Sequence, residues 1–149
     1  MTNRPNTHLK NRDAFVSWAS ATIRYCDLDP NGHVNNGAIN SFFEDGRVQF
    51  RNDRMITLGE NILRGFVLEK FSAEYFKTLH YPGSVDIGTV VQNIGRTSYV
   101  LGQGIFTDEG CIATAEVVTV CVNNASQKPT VIDGDLRLIL KNSLSILKN

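Results

Sequence analysis

No apolar run in this chain approaches the roughly 20 residues that a membrane-spanning helix requires. Cysteine is scarce. Cys26, Cys111 and Cys121 make an odd set of 3 with no metal-pair spacing, so reduced thiols are expected rather than a disulfide framework. Neither sign of charge prevails: Lys plus Arg and Asp plus Glu stand at 15 each, and the pI is near 6.8. That balance removes the electrostatic case for nucleic acid or an anionic membrane surface as a partner. The opening MTNRPNTHLKNRDAF lacks the apolar core of a secretory signal, so a cytoplasmic protein is expected. No repeat or low-complexity tract interrupts the chain, and no Gly-x-Ser-x-Gly elbow marks a serine hydrolase.

What remains is 149 residues, 42% hydrophobic and 20% charged, which suits one globular domain (residues 1–149) with a single modest core. Residues 1 to about 14 are polar and read as frayed or lightly docked. Phe15 to Cys26 reads as a strand. Residues 37 to about 58 follow with Ile39, Phe42, Phe43, Gly46 and Phe50 on one helical face. Gly46 in that stripe would let the helix lie close to a sheet, at a cost of about 1 kcal/mol in helix propensity. Arg47, Arg51 and Arg54 form a second stripe, read as a solvated face.

Strand patterns dominate the rest. Residues 66–78 and SVDIGTVVQNI, SYVLGQGIF and CIATAEVVTVCV are separated by Tyr81-Pro82-Gly83, Gly95-Arg96-Thr97 and Asp108-Glu109-Gly110. The last three strands should form an antiparallel meander, with Cys111 and Cys121 as small core residues. Gln127-Lys128-Pro129 breaks the pattern before a short amphipathic helix, expected over residues 134 to about 147, with Leu136, Ile139, Leu140, Leu144 and Leu147 on one face. The expectation is an α+β domain: a curved antiparallel sheet wrapped around one long helix, plus a short C-terminal helix.

The most informative stretch is Thr22 to Arg47, TIRYCDLDPNGHVNNGAINSFFEDGR. It reads as a strand, a sharp polar turn and a helix. A carboxylate held just before a helix N-terminus sits beside free backbone N–H groups and the positive end of the helix dipole. That pairing can serve acyl transfer, because an oxyanion forms where the amides point and the carboxylate attacks or activates water. A thioester is electrophilic and its thiolate leaves readily, so this pair suffices without a Ser-His-Asp set. The turn holds Asp27, Asp29, His33, Asn35 and Asn36.

Arg24-Tyr25-Cys26-Asp27-Leu28-Asp29-Pro30-Asn31-Gly32-His33-Val34-Asn35-Asn36, with Phe42-Phe43-Glu44 and Arg47, resembles the hotdog-fold acyl-CoA thioesterases of the 4-hydroxybenzoyl-CoA thioesterase type. FSAEYFKTLHYPGSVDIGT, IGRTSY and KPTVIDGDLR carry the likeness further, so that it covers about Ala19 to Arg137. The resemblance implies hydrolysis of an acyl-CoA to a free acid and CoA, with no cofactor. Asp29 takes the place of the catalytic carboxylate, and the backbone N–H near Asn36 that of the oxyanion contact. It also implies self-association into a dimer or tetramer, with sheets joined, sites at the interface and basic side chains holding the CoA phosphates. Many relatives follow the turn with an aromatic and a bulky apolar residue, as Tyr-Leu. This chain has Gly37-Ala38-Ile39 there, a departure at the acyl pocket.

Each assignment has a plainer competitor. Asp29 before Pro30 could simply cap its turn. Asp27 is the competing acid, read as ending the strand and bonding backbone. His33 has a catalytic reading through its near-neutral pKa, and a bracing one through bonds to backbone or Asn35. Asn35 and Asn36 are ordinary helix caps as well as substrate contacts. Cys26 with His33 lacks a basic neighbour beyond Arg24. Glu44 and Asp45 point to different helix faces, so no metal site is expected. Lys77, Arg96, Lys128 and the arginine stripe are candidate phosphate contacts, with Arg96 and Lys77 retained as substrate-binding residues. A hydratase or dehydratase on the same fold needs a His–acid pair spanning C2 and C3, and a non-catalytic acyl-CoA binder needs no acid at all.

Overall fold

Alternating apolar positions build strands here, and the strands pair in the order β1-β3-β4-β5-β2 as a single antiparallel sheet. The computed structural model describes residues 7–59 and 65–145. Its elements are β1 (Ser17–Thr22), α1 (Asn36–Met55), β2 (Phe66–Tyr75), β3 (Ser84–Ile94), β4 (Ser98–Thr107), β5 (Gly110–Cys121) and α2 (Gly134–Lys141). β3, β4 and β5 form the expected meander through tight turns.

α1 lies on one face of the sheet, and its apolar stripe makes the core. Phe43, Phe50 and Met55 are fully buried, together with Ile87, Val91, Leu101 and Ile105 from β3 and β4. Gly46 permits this approach: a Cβ there would stand 2.5 Å from Ile87 Cγ2. A 20-residue helix enclosed by a curved sheet is the hotdog arrangement expected from the sequence.

The opposite face of the sheet is covered too, which the sequence reading did not foresee. Thr7–Lys10 and Arg12–Ala14 form 3₁₀ turns, and Leu9, Ala14 and Phe15 bury against Val90 and Phe106. Gly88 and Gly104 make room for them, since a Cβ at either would lie under 3 Å from Phe15 ring atoms. Residues 7–14 are therefore docked, with apolar anchors hidden among polar neighbours. Residues 1–6 lie outside the described residues.

Other boundaries move for local reasons. β1 is shorter than the expected Phe15–Cys26, because Phe15 turns into the second core and Tyr25–Asp27 form a 3₁₀ turn. α2 stops at Lys141. The chain beyond it lies along β3 instead, with Val91 N–H donating to Ser143 O (2.8 Å) and Ser145 N–H to Val91 O (2.9 Å). Leu144 is consequently exposed rather than on a helical face, and Leu147 falls outside the described residues.

The arginine stripe is the largest correction. Arg47 is buried, donating to Gln103 Oε1 (3.2 Å) and stacking over Phe71; Arg54 donates to Ser143 Oγ and Val16 O. Arg51 is half-buried beside Phe66. Long side chains let charged residues line a helix that is enclosed on most sides. β2, by contrast, is an edge strand whose outer side is unpaired among the described residues. It exposes Val67 and Leu68.

Candidate active site

Between β1 and α1 the chain closes a short loop on itself. Leu28 and Val34 form an antiparallel bridge, Asp29 N–H donates to His33 O (2.7 Å) and Gly32 N–H to Asp29 O (3.0 Å). Val34 N–H donates to Leu79 O (2.9 Å), which ties the loop to the segment joining β2 and β3.

The two acids of this loop part company. Asp27 is buried: Oδ2 accepts the Arg24 N–H (2.8 Å) and Oδ1 accepts Arg24 Nη2 (3.1 Å). That hydrogen bond, reinforced by charge attraction, raises the Arg24 guanidinium above its ordinary value. The Asp27 carbonyl accepts both the N–H and the Nδ2 of Asn35 (2.9 and 3.0 Å). Asp27 is thus a brace inside the loop rather than the end of a strand. Asp29 is half-buried. Its Oδ1 accepts the N–H groups of Asn31 (2.9 Å) and His33 (3.1 Å), while Oδ2 has no partner among the described residues. One oxygen orients the carboxylate and the other has no partner among the described residues.

Asn35 caps α1 with Oδ1 accepting the Ala38 N–H (2.7 Å), so both ends of its side chain are engaged within the fold. The next amides, Asn36 and Gly37, find no acceptor among the described residues, as expected for the first turn of a helix. Asp29, His33 and Asn36 line one cleft of about 290 Å³, closed on the far side by Ile39, Tyr75 and Lys77–Leu79. Asp29, with an unpartnered carboxylate oxygen, and Asn36, with an unpartnered amide at the positive end of α1, therefore line the same cleft.

His33 contributes its backbone to the loop, and its ring packs edge-on against His80 with centroids 5.2 Å apart. Lys77 stands at the rim with Nζ donating to Glu109 O. Arg96 is elsewhere, in the β3–β4 turn. The length of β3, on the order of 30 Å, separates it from the loop within one chain. Cys26 is exposed and lines none of the clefts described here, and no group of three or more potential ligands for a metal exists among the described residues. Sequence reasoning missed Tyr75, Thr78, Leu79 and His80. The only signal for them was that FKTLHYPG joins two strands, which does not say which loop it will face.

A larger cavity of about 470 Å³ adjoins through Thr78 and Leu79, lined by His80, Asp86, Asp108 and Glu109. Asp86 is paired with Arg12 at 3.2 Å, and the acidic wall opposes an anionic ligand. The smaller cleft is the one that combines an acid with amide donors.

Known proteins share this fold. A profile of the thioesterase-like superfamily matches residues 23–140. A structure described as a predicted thioesterase from Bacillus stearothermophilus is 25% identical, with a TM-score of 0.78 over 86% of this chain and 96% of that one. A Pseudomonas aeruginosa protein is 23% identical, with a TM-score of 0.79 over 92% and 97%. A Thermus thermophilus thioesterase complexed with coenzyme A and Zn is 23% identical, with a TM-score of 0.76 over 87% and 95%. No curated protein matches. No described helix is long and apolar enough to cross a membrane. Residues 23–140 take in the acidic loop, α1 and the whole meander, so the chain belongs to the thioesterase-like superfamily, whose enzyme class is thioester hydrolase.

Proposed function

We propose that the protein is an acyl-CoA thioesterase of the 4-hydroxybenzoyl-CoA thioesterase type, using Asp29 as its acid group and the Asn36 N–H, with Gly37 beside it, as the oxyanion contact. The observation that carries this reading is that Asp29, with its Oδ2 unpartnered among the described residues, lines the same cleft as Asn36 at the start of α1. By one route Asp29 takes a proton from water as it attacks the thioester carbonyl. The C–S bond then breaks, and the proton passes to the departing thiolate. By the other, Asp29 attacks the thioester carbonyl, the C–S bond breaks to release CoA thiolate, and water opens the anhydride left on Asp29, giving the free acid and a proton for the thiolate. Both routes place negative charge on the former carbonyl oxygen, where fixed amide dipoles stabilise it more than mobile water does.

Lys77 suits a CoA phosphate at the rim. Arg96 reaches a site only if a second copy supplies it. The open β2 edge, with Val67 and Leu68 exposed, is the surface through which two copies would extend one sheet into the other. His33 is read as a loop brace that also lines the substrate path, and Asn35 as the residue that fixes α1 beneath the thioester.

The test is a thiol-release screen across short, long and aromatic acyl-CoAs, with the enoyl chromophore followed in parallel. Release of CoA thiol supports the reading. Loss of the enoyl chromophore without thiol release assigns a hydratase, and tight CoA binding with neither assigns a non-catalytic binder.

A further inference from the structure

Past the Tyr75–Asn40 hydrogen bond (2.6 Å) the face of α1 continues into a second groove, of about 240 Å³, lined by Asn40, Ser41, Glu44, Arg47, Leu68 and Phe71. Tyr75 lines the Asp29 cleft and Asn40 the groove, so this hydrogen bond stands between the two spaces. Arg47 is unusual for its depth. Its residue is 7% exposed, yet neither ion pair found among the described residues includes it. One guanidinium nitrogen donates to a neutral acceptor, Gln103 Oε1. Gln103 is in turn fully used, donating to Phe43 O (2.9 Å) and Thr89 Oγ1 (3.0 Å). An arginine has five N–H donors and stays charged, so most of its donors are left for whatever enters the groove. Burial lowers the Arg47 pKa, while the charge of Glu44 at the groove mouth pulls it the other way.

Leu68 and Phe71 supply an apolar wall along the approach, and Glu44 stands exposed at the mouth. Eleven helical positions separate Asn36 from Arg47, about 16 Å along the axis, and side chains lean back toward the helix N-terminus. The span from the amide donors to the guanidinium therefore suits an extended acyl chain of medium length.

We propose that Arg47 is a specificity-determining residue, and that the groove takes an acyl group bearing a carboxylate at its far end, the class of dicarboxylic mono-CoA thioesters. The inference rests on the acyl-CoA reading above and names the substrate class for that same site. The methylene chain lies against Leu68 and Phe71, and the terminal carboxylate meets the guanidinium fork in the geometry that arginine favours.

The experiment compares octanedioyl-CoA with octanoyl-CoA, which differ only at the terminus, on the full-length protein and on Arg47→Met. The parent is expected to have the lower KM for the diacid ester. Arg47→Met should raise that KM by about ten- to a hundredfold and leave the octanoyl-CoA KM unchanged. A parent indifferent to the two esters overturns the inference while leaving the thioesterase reading in place. Equal losses on both esters, or a shift in oligomeric state with no change in selection, also overturn it, because Arg47 then serves packing or a second copy. If neither ester is hydrolysed, calorimetric binding of the same two esters decides the inference by the same contrast, and the wider thiol-release screen decides the thioesterase reading. Should Arg47→Met not fold, Arg47→Lys takes its place: a change confined to the diacid ester supports the proposal, and any other result overturns it.

Discussion

The two ends of α1 are built for opposite tasks. Its first turn is polar and half open, with amides left unpaired and Asn35 as the only side-chain cap. In its second half the inward stripe is dry: Phe50 and Met55 have no exposed surface, and Arg54 is pinned to Ser143 and Val16. Unpaired polar groups are tolerable where solvent or substrate reaches them and costly where neither does. The helix is thereby anchored at one end so that the other end can stay chemically unsatisfied.

That contrast can be broken by substitution. Phe50→Ala at the packed end should cost about 3–5 kcal/mol of stability, read by denaturant unfolding, while the folded fraction keeps the parent turnover. Asn35→Ala at the open end should cost only about 1 kcal/mol. It should nevertheless lower turnover more than Phe50→Ala does, because it removes the side-chain bond to the Asp27 carbonyl as well as the cap on α1. If Asn35→Ala left kcat untouched, the first turn would not be the oxyanion donor.

The smallest effect concerns pH. Tyr99 lies fully buried, and burial pushes its hydroxyl up to about 12 from the ordinary 10.0. The unfolded chain gives up this proton first, so stability that is complete below pH 10 should fall as pH rises from 10 toward about 12. Tyr99→Phe should flatten the alkaline decline in urea midpoints and change little near neutrality. An equally steep decline in the variant would place its cause elsewhere.

The acidic loop, the helix after it and the meander were legible because each has a strong local signature: turn residues at fixed offsets, one apolar stripe, and alternation bounded by turns. What was hidden depends on long-range contact. Leu9 and Phe15 bury only because Gly88, Gly102 and Gly104 leave a shallow bed on the far side of the sheet, and no local pattern couples those positions. Arg47 read as solvated because charge at a helical surface usually is, and its burial follows from Gln103, a residue 56 positions away. Thr78 and Leu79 join the cleft through the Val34–Leu79 backbone bond, which no spacing announces. Asp29 and Asn36 could be singled out early because the acidic loop and the helix start that hold them adjoin in the sequence.

The most direct test of the central claim is turnover of acyl-CoA by Asp29→Asn, measured beside its thermal unfolding. Asparagine keeps an oxygen to accept the Asn31 and His33 amides, so the melting temperature should hold. Removing the negative charge should lower kcat by about a hundred- to ten-thousandfold. An Asp29→Asn protein that releases thiol at the parent rate would contradict the account.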